Sequence, residues 1–181
     1  MSRLELILGP MFSSKTQTVI KRANIFKLYR NILVVNSKKD TRYISDASKI
    51  CSHNWETIPC LPVTRLSEIG DVSRYDVILI DESQFFPDLF EWVSNALSMG
   101  KTLVVAGLDG DDKQKKFGQI LDLIPIADDV CKLKSYCKRC FEETGAMIEA
   151  PFTTRYDKKD SDCQGQVGGI EMYLPVCRCH I

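Results

Sequence analysis

The feature that most constrains the fold is an alternation of short, unbroken apolar runs with segments of helical period. The apolar runs lie at Arg3 to Leu8, Asn31 to Asn36, Val77 to Ile80 and Thr102 to Ala106. Helical spacing follows at 16–29, and again at 88–99, where Asp88 is the predicted N-cap and Gly100 the predicted end. Strands without polar alternation are typical of sheets that are covered on both faces. The chain is therefore predicted to be an α/β protein, with a mostly parallel sheet and helices on both faces.

The alternating pattern stops after about Lys134, which divides the chain into two predicted domains. Residues 1–134 are predicted to form the larger domain, within which 37–62 is predicted to be loop with at most short elements. Residues 135–181 have no long apolar run and carry most of the eight cysteines. We predict a small zinc-binding domain there, because a metal can supply the folding energy that a small core cannot.

Composition excludes several classes of protein. The chain has 24 Lys and Arg residues and 24 Asp and Glu residues, so its basic and acidic side chains balance. A nucleic-acid binder usually has an excess of basic residues. No nucleic-acid partner is therefore predicted. No apolar run approaches the length of a membrane span, and the N-terminal run is too short for a signal peptide, so no membrane partner and a cytoplasmic location are expected. In a reducing compartment, paired cysteines are more often metal ligands than disulfides.

A phosphate-binding loop is predicted between the first strand and the first helix. Gly9 to Thr16 fits the pattern Gly-x4-Gly-Lys-Ser/Thr except at Ser14, which stands where the second glycine belongs. Backbone N–H groups of such a loop bind phosphates, Lys15 supplies a positive charge, and the Thr16 hydroxyl suits Mg²⁺. Serine costs stability if its position requires a positive φ. The alternative is an ordinary strand-to-helix turn that happens to contain Lys-Thr.

Two carboxylates end the third apolar run, at Asp81 and Glu82. In P-loop enzymes, the first acid of this pattern helps to hold Mg²⁺ and the second can polarise an attacking nucleophile. The alternative is a solvated acidic strand end.

Two cysteine-containing pairs predict a structural zinc site. Cys137 and Cys140, together with Cys177 and His180, have the spacing of two ligand pairs that close a tetrahedral site. The alternatives are a ligand set with Cys179 in place of His180, and a group of free buried thiols. Four isolated cysteines are predicted to be small buried side chains: Cys51, Cys60, Cys131 and Cys163.

Together these motifs resemble the type II thymidine kinases, the cytosolic kind that bacteria and large DNA viruses also carry. The resemblance covers nearly the whole chain and rests on these segments: Gly9 to Ser13, Lys15-Thr16, Asp40 to Tyr43, Asp81-Glu82, Gln84 to Asp88, Leu108 to Gly110, Phe117-Gly118, the two metal-ligand pairs, Gly168-Gly169 and Tyr173. It implies a P-loop, RecA-like kinase domain with a zinc-binding lasso domain. The reaction it implies is transfer of the γ-phosphate of ATP to the 5′-hydroxyl of thymidine, which gives thymidine monophosphate for DNA precursor synthesis.

The resemblance also implies roles for individual residues. Glu82 matches the catalytic base. The residues that match the ATP and Mg²⁺ site are Gly9, Pro10, Met11, Phe12, Ser13, Ser14, Lys15, Thr16, Asp40, Thr41, Arg42, Asp81 and Gln84. Those that match the nucleoside site are Met11, Phe85, Leu108, Asp112, Phe117, Thr153, Gln164, Gly165, Gln166, Val167, Gly168 and Tyr173.

Within the lasso, Thr153 matches the position that faces the base, 164–168 the backbone that binds the pyrimidine, and Tyr173 the residue that closes the pocket. The resemblance also implies a homotetramer. The length of the chain is similar to that of the compact viral members of the family. If the source is a virus, the implied location is the host cytoplasm. The chain departs from the family at three places. These are Ser14, Asp112, which replaces an aromatic residue, and about six extra residues at 143–148.

Three functions are compatible with these observations. The first is an active deoxynucleoside kinase, favoured because Lys15, Thr16, Asp81 and Glu82 are all present. The second is a non-catalytic, nucleotide-binding relative that acts by association, in which Ser14 and Asp112 mark the loss of activity. The third is a RecA-like ATPase without a small-molecule acceptor, which the zinc-binding tail disfavours.

Overall fold

A computed structural model describes residues 2–40, 48–52, 55–156 and 171–181. Within these ranges the α-helices are α1 (Lys15–Phe26), α2 (Leu89–Ser98) and α3 (Lys138–Thr144). The strands are β1 (Arg3–Leu8), β2 (Ile32–Ser37), β3 (Lys49–Cys51), β4 (Thr57–Pro59), β5 (Leu61–Val63), β6 (Val77–Ile80), β7 (Thr102–Gly107), β8 (Asp129–Lys132), β9 (Ser135–Tyr136), β10 (Glu149–Ala150), β11 (Phe152–Arg155) and β12 (Tyr173–Val176). Short 3₁₀-helices lie at Leu66–Ile69, Ser83–Phe85, Ile120–Ile126 and Arg178–His180.

The central sheet has six strands in the order β5-β2-β6-β7-β1-β8, and every pairing in it is parallel. The predicted α/β architecture is therefore confirmed. In the register of this sheet, Leu8 pairs with Gly107 and Ile80 pairs with Val105. The carboxyl ends of β1, β6 and β7 consequently meet at one edge, which is where ligands bind in open parallel sheets.

Side chains of the central strands alternate between two apolar cores. On β6, Ile78 and Ile80 pack into the core on the α2 side, while Val77 and Leu79 pack into the core that contains α1. Because successive strand residues point to opposite faces, an unbroken apolar run fills both cores at once. This explains why these strands lack the polar alternation of half-exposed sheets.

Helix α1 is shorter than its predicted range, because its apolar face ends early. It finishes at Phe26, and Leu28 and Tyr29 beyond it are 68% and 79% exposed. Without a surface to bury, these two residues add no packing energy to a further turn.

Asp88 occupies the predicted N-cap position of α2, but its side chain does not cap that helix. Its two carboxylate oxygens instead accept the backbone N–H groups of Leu66, at 3.1 Å, and Ser67, at 3.0 Å. The position of Asp88 at the start of α2 is as predicted, but the expectation that its side chain caps this helix is wrong. The carboxylate serves the start of the 3₁₀-helix at Leu66–Ile69, since those unpaired N–H groups face it.

Two outer strands of the sheet escaped the sequence prediction. The segment 37–62, predicted to be loop with at most short elements, contains the β3–β4 hairpin and the first two residues of β5, which extends the sheet beside β2. Strand β8 forms the opposite edge beside β1, and all four of its residues are exposed. Cys131 lies on this edge strand, so the expectation that it is buried is wrong. Short strands with solvent-facing side chains lack the apolar run that identifies buried ones.

Within the described residues, the tail contains α3, the 3₁₀-helix at Arg178–His180 and two small antiparallel sheets, β9–β10 and β11–β12. Its own core is small and contains Cys137, Ala150, Leu174, Val176 and Cys177. The proposed domain boundary between 134 and 135 falls in the short connection from β8 to β9, and it stays a prediction.

Candidate active site

The predicted phosphate loop, Gly9 to Thr16, connects β1 to α1 and contains three positive φ angles. Gly9 has φ 149°, and a Cβ atom built there would lie 2.7 Å from the carbonyl oxygen of Leu133. Phe12 and Ser14 have φ 62° and 64°. Left-handed residues of this kind turn successive N–H groups toward a common centre, as in anion-binding nests. Ser14 therefore stands at a position with a positive φ, where the condition for a cost in stability is met.

Lys15 lies across this loop. Its Nζ donates to the carbonyl oxygen of Pro10 at 2.6 Å, and Ser13 Oγ donates to the same oxygen at 2.8 Å. The lysine is only 7% exposed, which is unusual for this residue type. A positive charge is thus held at the loop and out of bulk water, where its attraction for a phosphate is less screened.

Asp81 follows β6 and is 1% exposed. Neither of its carboxylate oxygens accepts a well-formed hydrogen bond from the described residues, although the Thr16 hydroxyl lies near enough to favour the charged form. Burial, and next the charge of Glu82, raise the pKa of this carboxyl to about 7. An orphaned buried carboxylate beside a threonine hydroxyl is a donor set that fits Mg²⁺.

Glu82 is also buried, and its backbone has a positive φ of 50°. Gln84 Nε2 donates to Glu82 Oε2 at 2.6 Å, while Gln84 Oε1 accepts the backbone N–H of Leu108 at 3.0 Å. Gln84 therefore connects the end of β6 with the end of β7. A left-handed conformation costs a residue with a side chain roughly 1–2 kcal/mol, and such strain concentrates at functional sites.

Asp40 follows β2 at the same edge of the sheet. Asn36 Nδ2 donates to Asp40 Oδ2 at 3.2 Å. The Asp40 charge contributes to the raised pKa of the Asp81 carboxyl, after burial and Glu82. Thr41 and Arg42, which were predicted to border the nucleotide, lie outside the described residues.

The predicted nucleoside-site residues adjoin the phosphate loop and the Gln84 segment. Phe85 and Phe117 pack edge to face with their ring centroids 5.6 Å apart. Thr153 Oγ1 accepts the backbone N–H of Met11 at 3.0 Å, which ties β11 to the phosphate loop. Leu108 is half-buried at the end of β7. Gln164, Gly165, Gln166, Val167 and Gly168 lie outside the described residues.

Tyr173 and Asp112 lie near each other on the tail side of this region. Burial is the main factor that raises the pKa of the Tyr173 hydroxyl, Arg155 lowers it, and the Asp112 charge raises it. The Asp112 charge thus acts on the Tyr173 hydroxyl. The neighbouring turn depends on Asp111, whose carboxylate accepts the N–H groups of Lys113 at 2.9 Å and Lys115 at 2.8 Å.

The four predicted metal ligands form one cluster, with all ligand atoms within 4.8 Å of one another. His180 Nδ1 lies 3.4 Å from Cys137 Sγ, 3.3 Å from Cys140 Sγ and 3.5 Å from Cys177 Sγ. Tetrahedral zinc with Zn–S of about 2.3 Å and Zn–N of about 2.0 Å requires S···N separations of about 3.5 Å, so the set fits this metal.

The surroundings of the cluster support a metal site. His180 Nε2 lies 3.2 Å from Glu143 Oε2, the kind of carboxylate partner that orients a metal-bound histidine. Burial raises the pKa of the Cys137 thiol, but hydrogen bonds from the backbone of Cys140 and Cys177 outweigh it and lower the pKa to about 6. Cys179 is exposed and lies outside the cluster.

Comparison with known proteins decides the family. The family model described as thymidine kinase matches residues 2–181. The chain is 40% identical over 179 residues to the cytosolic thymidine kinase of Bos taurus, covering 97% of this chain and 70% of the relative. It is 38% identical to the human cytosolic enzyme, with coverages of 97% and 71%. The chain belongs to the thymidine kinase family.

A viral relative resembles this thymidine kinase family member in size as well. The thymidine kinase of Variola virus is 34% identical over 181 residues, which cover 98% of this chain and 96% of the relative. Among the residues that the structure describes, no helix is long and apolar enough to cross a membrane.

Two side chains of this kinase family member were not singled out from the sequence. Arg155 places its guanidinium carbon 5.5 Å from the Tyr173 ring centroid, and Lys39 places Nζ 5.6 Å from that of Phe85. The Arg155–Tyr173 contact follows from the antiparallel register of β11 and β12. No local sequence motif predicts either contact, because each one joins residues from different strands or loops.

Proposed function

We propose that this chain transfers the γ-phosphate of ATP to the 5′-hydroxyl of thymidine, giving ADP and thymidine 5′-monophosphate. The observation that carries the proposal is the position of Glu82. It follows Asp81 at the sheet edge that also bears the phosphate loop, and Gln84 connects it to Leu108, on the predicted wall of the nucleoside pocket. A carboxylate between a phosphate site and a nucleoside pocket is suited to act as a general base.

In this proposal Glu82 accepts the proton of the 5′-hydroxyl while that oxygen attacks the γ-phosphorus. The bond from the γ-phosphorus to the β,γ-bridging oxygen breaks, and ADP leaves with the electron pair. General-base catalysis contributes about 10²- to 10⁴-fold to such rates. Most of the remaining acceleration in phosphoryl transfer comes from positioning and charge neutralisation.

The phosphate loop and Lys15 are proposed to position the ATP phosphates. Loop N–H groups bind phosphate oxygens, and Lys15 exchanges its contact with the Pro10 carbonyl for one with a phosphate. Thr16 and Asp81 are the residues proposed to hold Mg²⁺, Asp81 through water. The ion, when bound, neutralises the negative charge that develops on the transferred group. Asp40, Thr41 and Arg42 are proposed to border the nucleotide.

The nucleoside is proposed to bind among Met11, Phe85, Leu108 and Phe117, which supply apolar walls for the pyrimidine. Thr153 faces the base, Tyr173 closes the pocket, and the backbone of 164–168 hydrogen-bonds the pyrimidine. The Asp112 carboxylate, on the Tyr173 side, gives this pocket a negative charge near its closing residue.

We propose that zinc binds Cys137, Cys140, Cys177 and His180 and has a structural role. All four ligand positions belong to the protein, whereas a catalytic zinc site keeps one open position for water or substrate. By family resemblance we further propose a cytoplasmic homotetramer. A balanced formal charge of +0 supports the proposal that no nucleic acid is bound.

Two features favour a second candidate, the non-catalytic nucleotide-binding relative. Ser14 has a left-handed backbone although it is not glycine, and Asp112 adds a negative charge that acts on Tyr173. In this proposal both features weaken the binding of nucleotide and nucleoside, while Lys15, Thr16, Asp81 and Glu82 are all still present.

The deciding experiment measures ADP release from MgATP, with and without thymidine, for the wild type and for Glu82→Gln. We expect thymidine-dependent release by the wild type, and a loss of at least about 10²-fold in the variant with ATP affinity retained. Glu91→Gln, an exposed carboxylate on α2, is the matched control and should be unaffected. Release that ignores thymidine would support an ATPase, and no release in zinc-loaded protein would support the binding relative.

A further inference from the structure

We propose that Gln84 is a positioning residue that holds the Glu82 carboxylate in line for catalysis, instead of a nucleotide contact. The inference rests on the proposed function, because it concerns the same base. Gln84 is 4% exposed and lies between the ends of two parallel strands. Its amide bridges Glu82 Oε2, at 2.6 Å, and the backbone N–H of Leu108, at 3.0 Å.

The two partners determine which way the Gln84 amide points. A backbone N–H can only donate, so Leu108 must face the carbonyl oxygen of the amide. An ionised carboxylate can only accept, so Glu82 must face its NH₂ group. The reversed amide would place donor against donor and acceptor against acceptor. The amide therefore has one orientation, and it gives Glu82 a directed, charge-assisted hydrogen bond.

Neighbouring glycines leave room for this arrangement. A Cβ atom on Gly107 would lie 2.7 Å from Gln84 Oε1 and 2.5 Å from Ser83 Oγ. Gly118 has φ 62°, and a Cβ there would collide with the Gln84 backbone carbonyl. Backbone thus packs directly against both ends of Gln84, so the residue has little freedom to move.

The backbone of Glu82 explains why such a support is needed. With φ 50° and ψ 38°, Glu82 turns sharply away from the direction of β6. Its side chain is aimed by this strained turn, and a second contact at its tip restricts the remaining rotations of a flexible glutamate. The contact also reaches the nucleoside wall, since Leu108 is the other partner. The support therefore joins the base to the pocket that holds its substrate.

The test measures kcat and the KM values for ATP and thymidine in Gln84→Met and Gln84→Glu. Methionine keeps the length of the side chain and removes both hydrogen bonds. Glutamate keeps an acceptor for Leu108 and removes the donor to Glu82. We expect kcat to fall about 10- to 100-fold in both variants, with both KM values changed less than about threefold, because misplacement of a catalytic group by about 1 Å costs up to about 10²-fold.

Two controls separate positioning from a structural role. Gln119→Met removes a similar contact, in which Gln119 Oε1 accepts the N–H of Phe90 at 2.9 Å, and should leave kcat unchanged. In the Glu82→Gln background, Gln84→Met should cause no further loss, since a residue that acts through Glu82 has nothing left to position.

Several results would overturn the inference. A normal kcat in Gln84→Met, an additive loss in the double variant, or an increase confined to the KM for ATP would each do so. Full activity of Gln84→Glu beside an inactive Gln84→Met would show that only the Leu108 contact matters. If Glu82→Gln itself stays active, the proposed base fails as well; if it is inactive while Gln84→Met is normal, only the positioning role fails.

Discussion

The active-site edge and the cysteine cluster bury polar groups in opposite ways. At the active-site edge, Asp81 is buried without a well-formed hydrogen bond from the described residues, and Ser14 and Glu82 have left-handed backbones. In the cluster, every proposed ligand atom has other proposed ligand atoms within 4.8 Å. The positive φ angle at the end of α3 belongs to Gly145, which has no Cβ and adopts it at little cost. The first arrangement lowers the stability of the fold, and the second adds to it once metal binds.

The difference follows from what surrounds each group. A six-stranded sheet with two apolar cores supports the active-site edge, so the sheet can tolerate a buried charge and strained turns. The described part of the tail has one small core, in which two of the five buried residues are the proposed zinc ligands Cys137 and Cys177. A large core can support a costly site, whereas a small one depends on its site.

The largest expected effect is that of Cys137→Ser. Loss of one ligand should release zinc and unfold the tail, which would remove Thr153 and Tyr173 from the pocket and raise the KM for thymidine steeply. Metal content and protease resistance of the tail provide the measurement. Cys179→Ser changes an exposed cysteine outside the cluster and should keep the metal. A folded, metal-free, active Cys137→Ser protein would disprove the zinc assignment.

The second prediction is that Asp81→Asn stabilises the protein while abolishing turnover. The native pKa of about 7 lies above the usual 3.8, so folding takes up a proton between these values and stability falls as pH rises from about 4 to 7. Without metal or nucleotide, the neutral amide should add about 1–3 kcal/mol at pH 8 and remove that pH dependence. Thermal unfolding in chelator at pH 5 and pH 8 measures both effects. Equal stability of the two proteins at pH 8 would contradict the expected cost.

Asp88 provides the opposite case, a carboxylate with hydrogen-bond donors. Burial raises its pKa, but the N–H groups of Ser67 and Leu66 outweigh burial and lower it. Its contribution to stability is therefore present above the unfolded pKa and is lost as pH falls through the lower native value. We expect Asp88→Ala to cost about 1–2 kcal/mol at pH 7 and less in acid. Denaturant unfolding at pH 7 and pH 3 tests this, and an equal cost at both would argue against the hydrogen bonds.

The smallest expected effect is that of Ser14→Gly. Glycine adopts φ 64° without a Cβ penalty, so the variant should gain up to about 1 kcal/mol in stability despite the entropy that glycine costs in the unfolded chain. A lower KM for ATP should accompany it if the strain opposes phosphate binding. Ser13→Gly, at the neighbouring loop position, is the comparison and should not stabilise. A destabilised Ser14→Gly protein would mean that the serine side chain contributes more than its backbone costs.

Local patterns of apolar residues in the sequence were sufficient to predict most of the architecture. The apolar runs of β1, β2, β6 and β7 predicted the parallel sheet, because strands buried on both faces carry apolar residues at every position. The edge strands β5 and β8 were missed, since β5 has one buried residue and β8 has none, so neither shows the long apolar run of a buried strand. The Asp88 side chain could not be assigned either, because its partners lie 21 and 22 residues away along the chain.

The sequence by itself singled out the groups that are proposed to do the chemistry of this thymidine kinase family member, namely Lys15, Thr16, Asp81, Glu82 and the two predicted metal-ligand pairs. Fixed spacing identifies them because a loop or a turn of the chain sets the distance between neighbouring ligands. Only the tertiary structure decided that Gln84 connects Glu82 to Leu108 and that Thr153 binds the Met11 backbone. Such contacts join segments that are far apart in the sequence and have no regular spacing. Only the packing of the sheet and the tail brings these segments together.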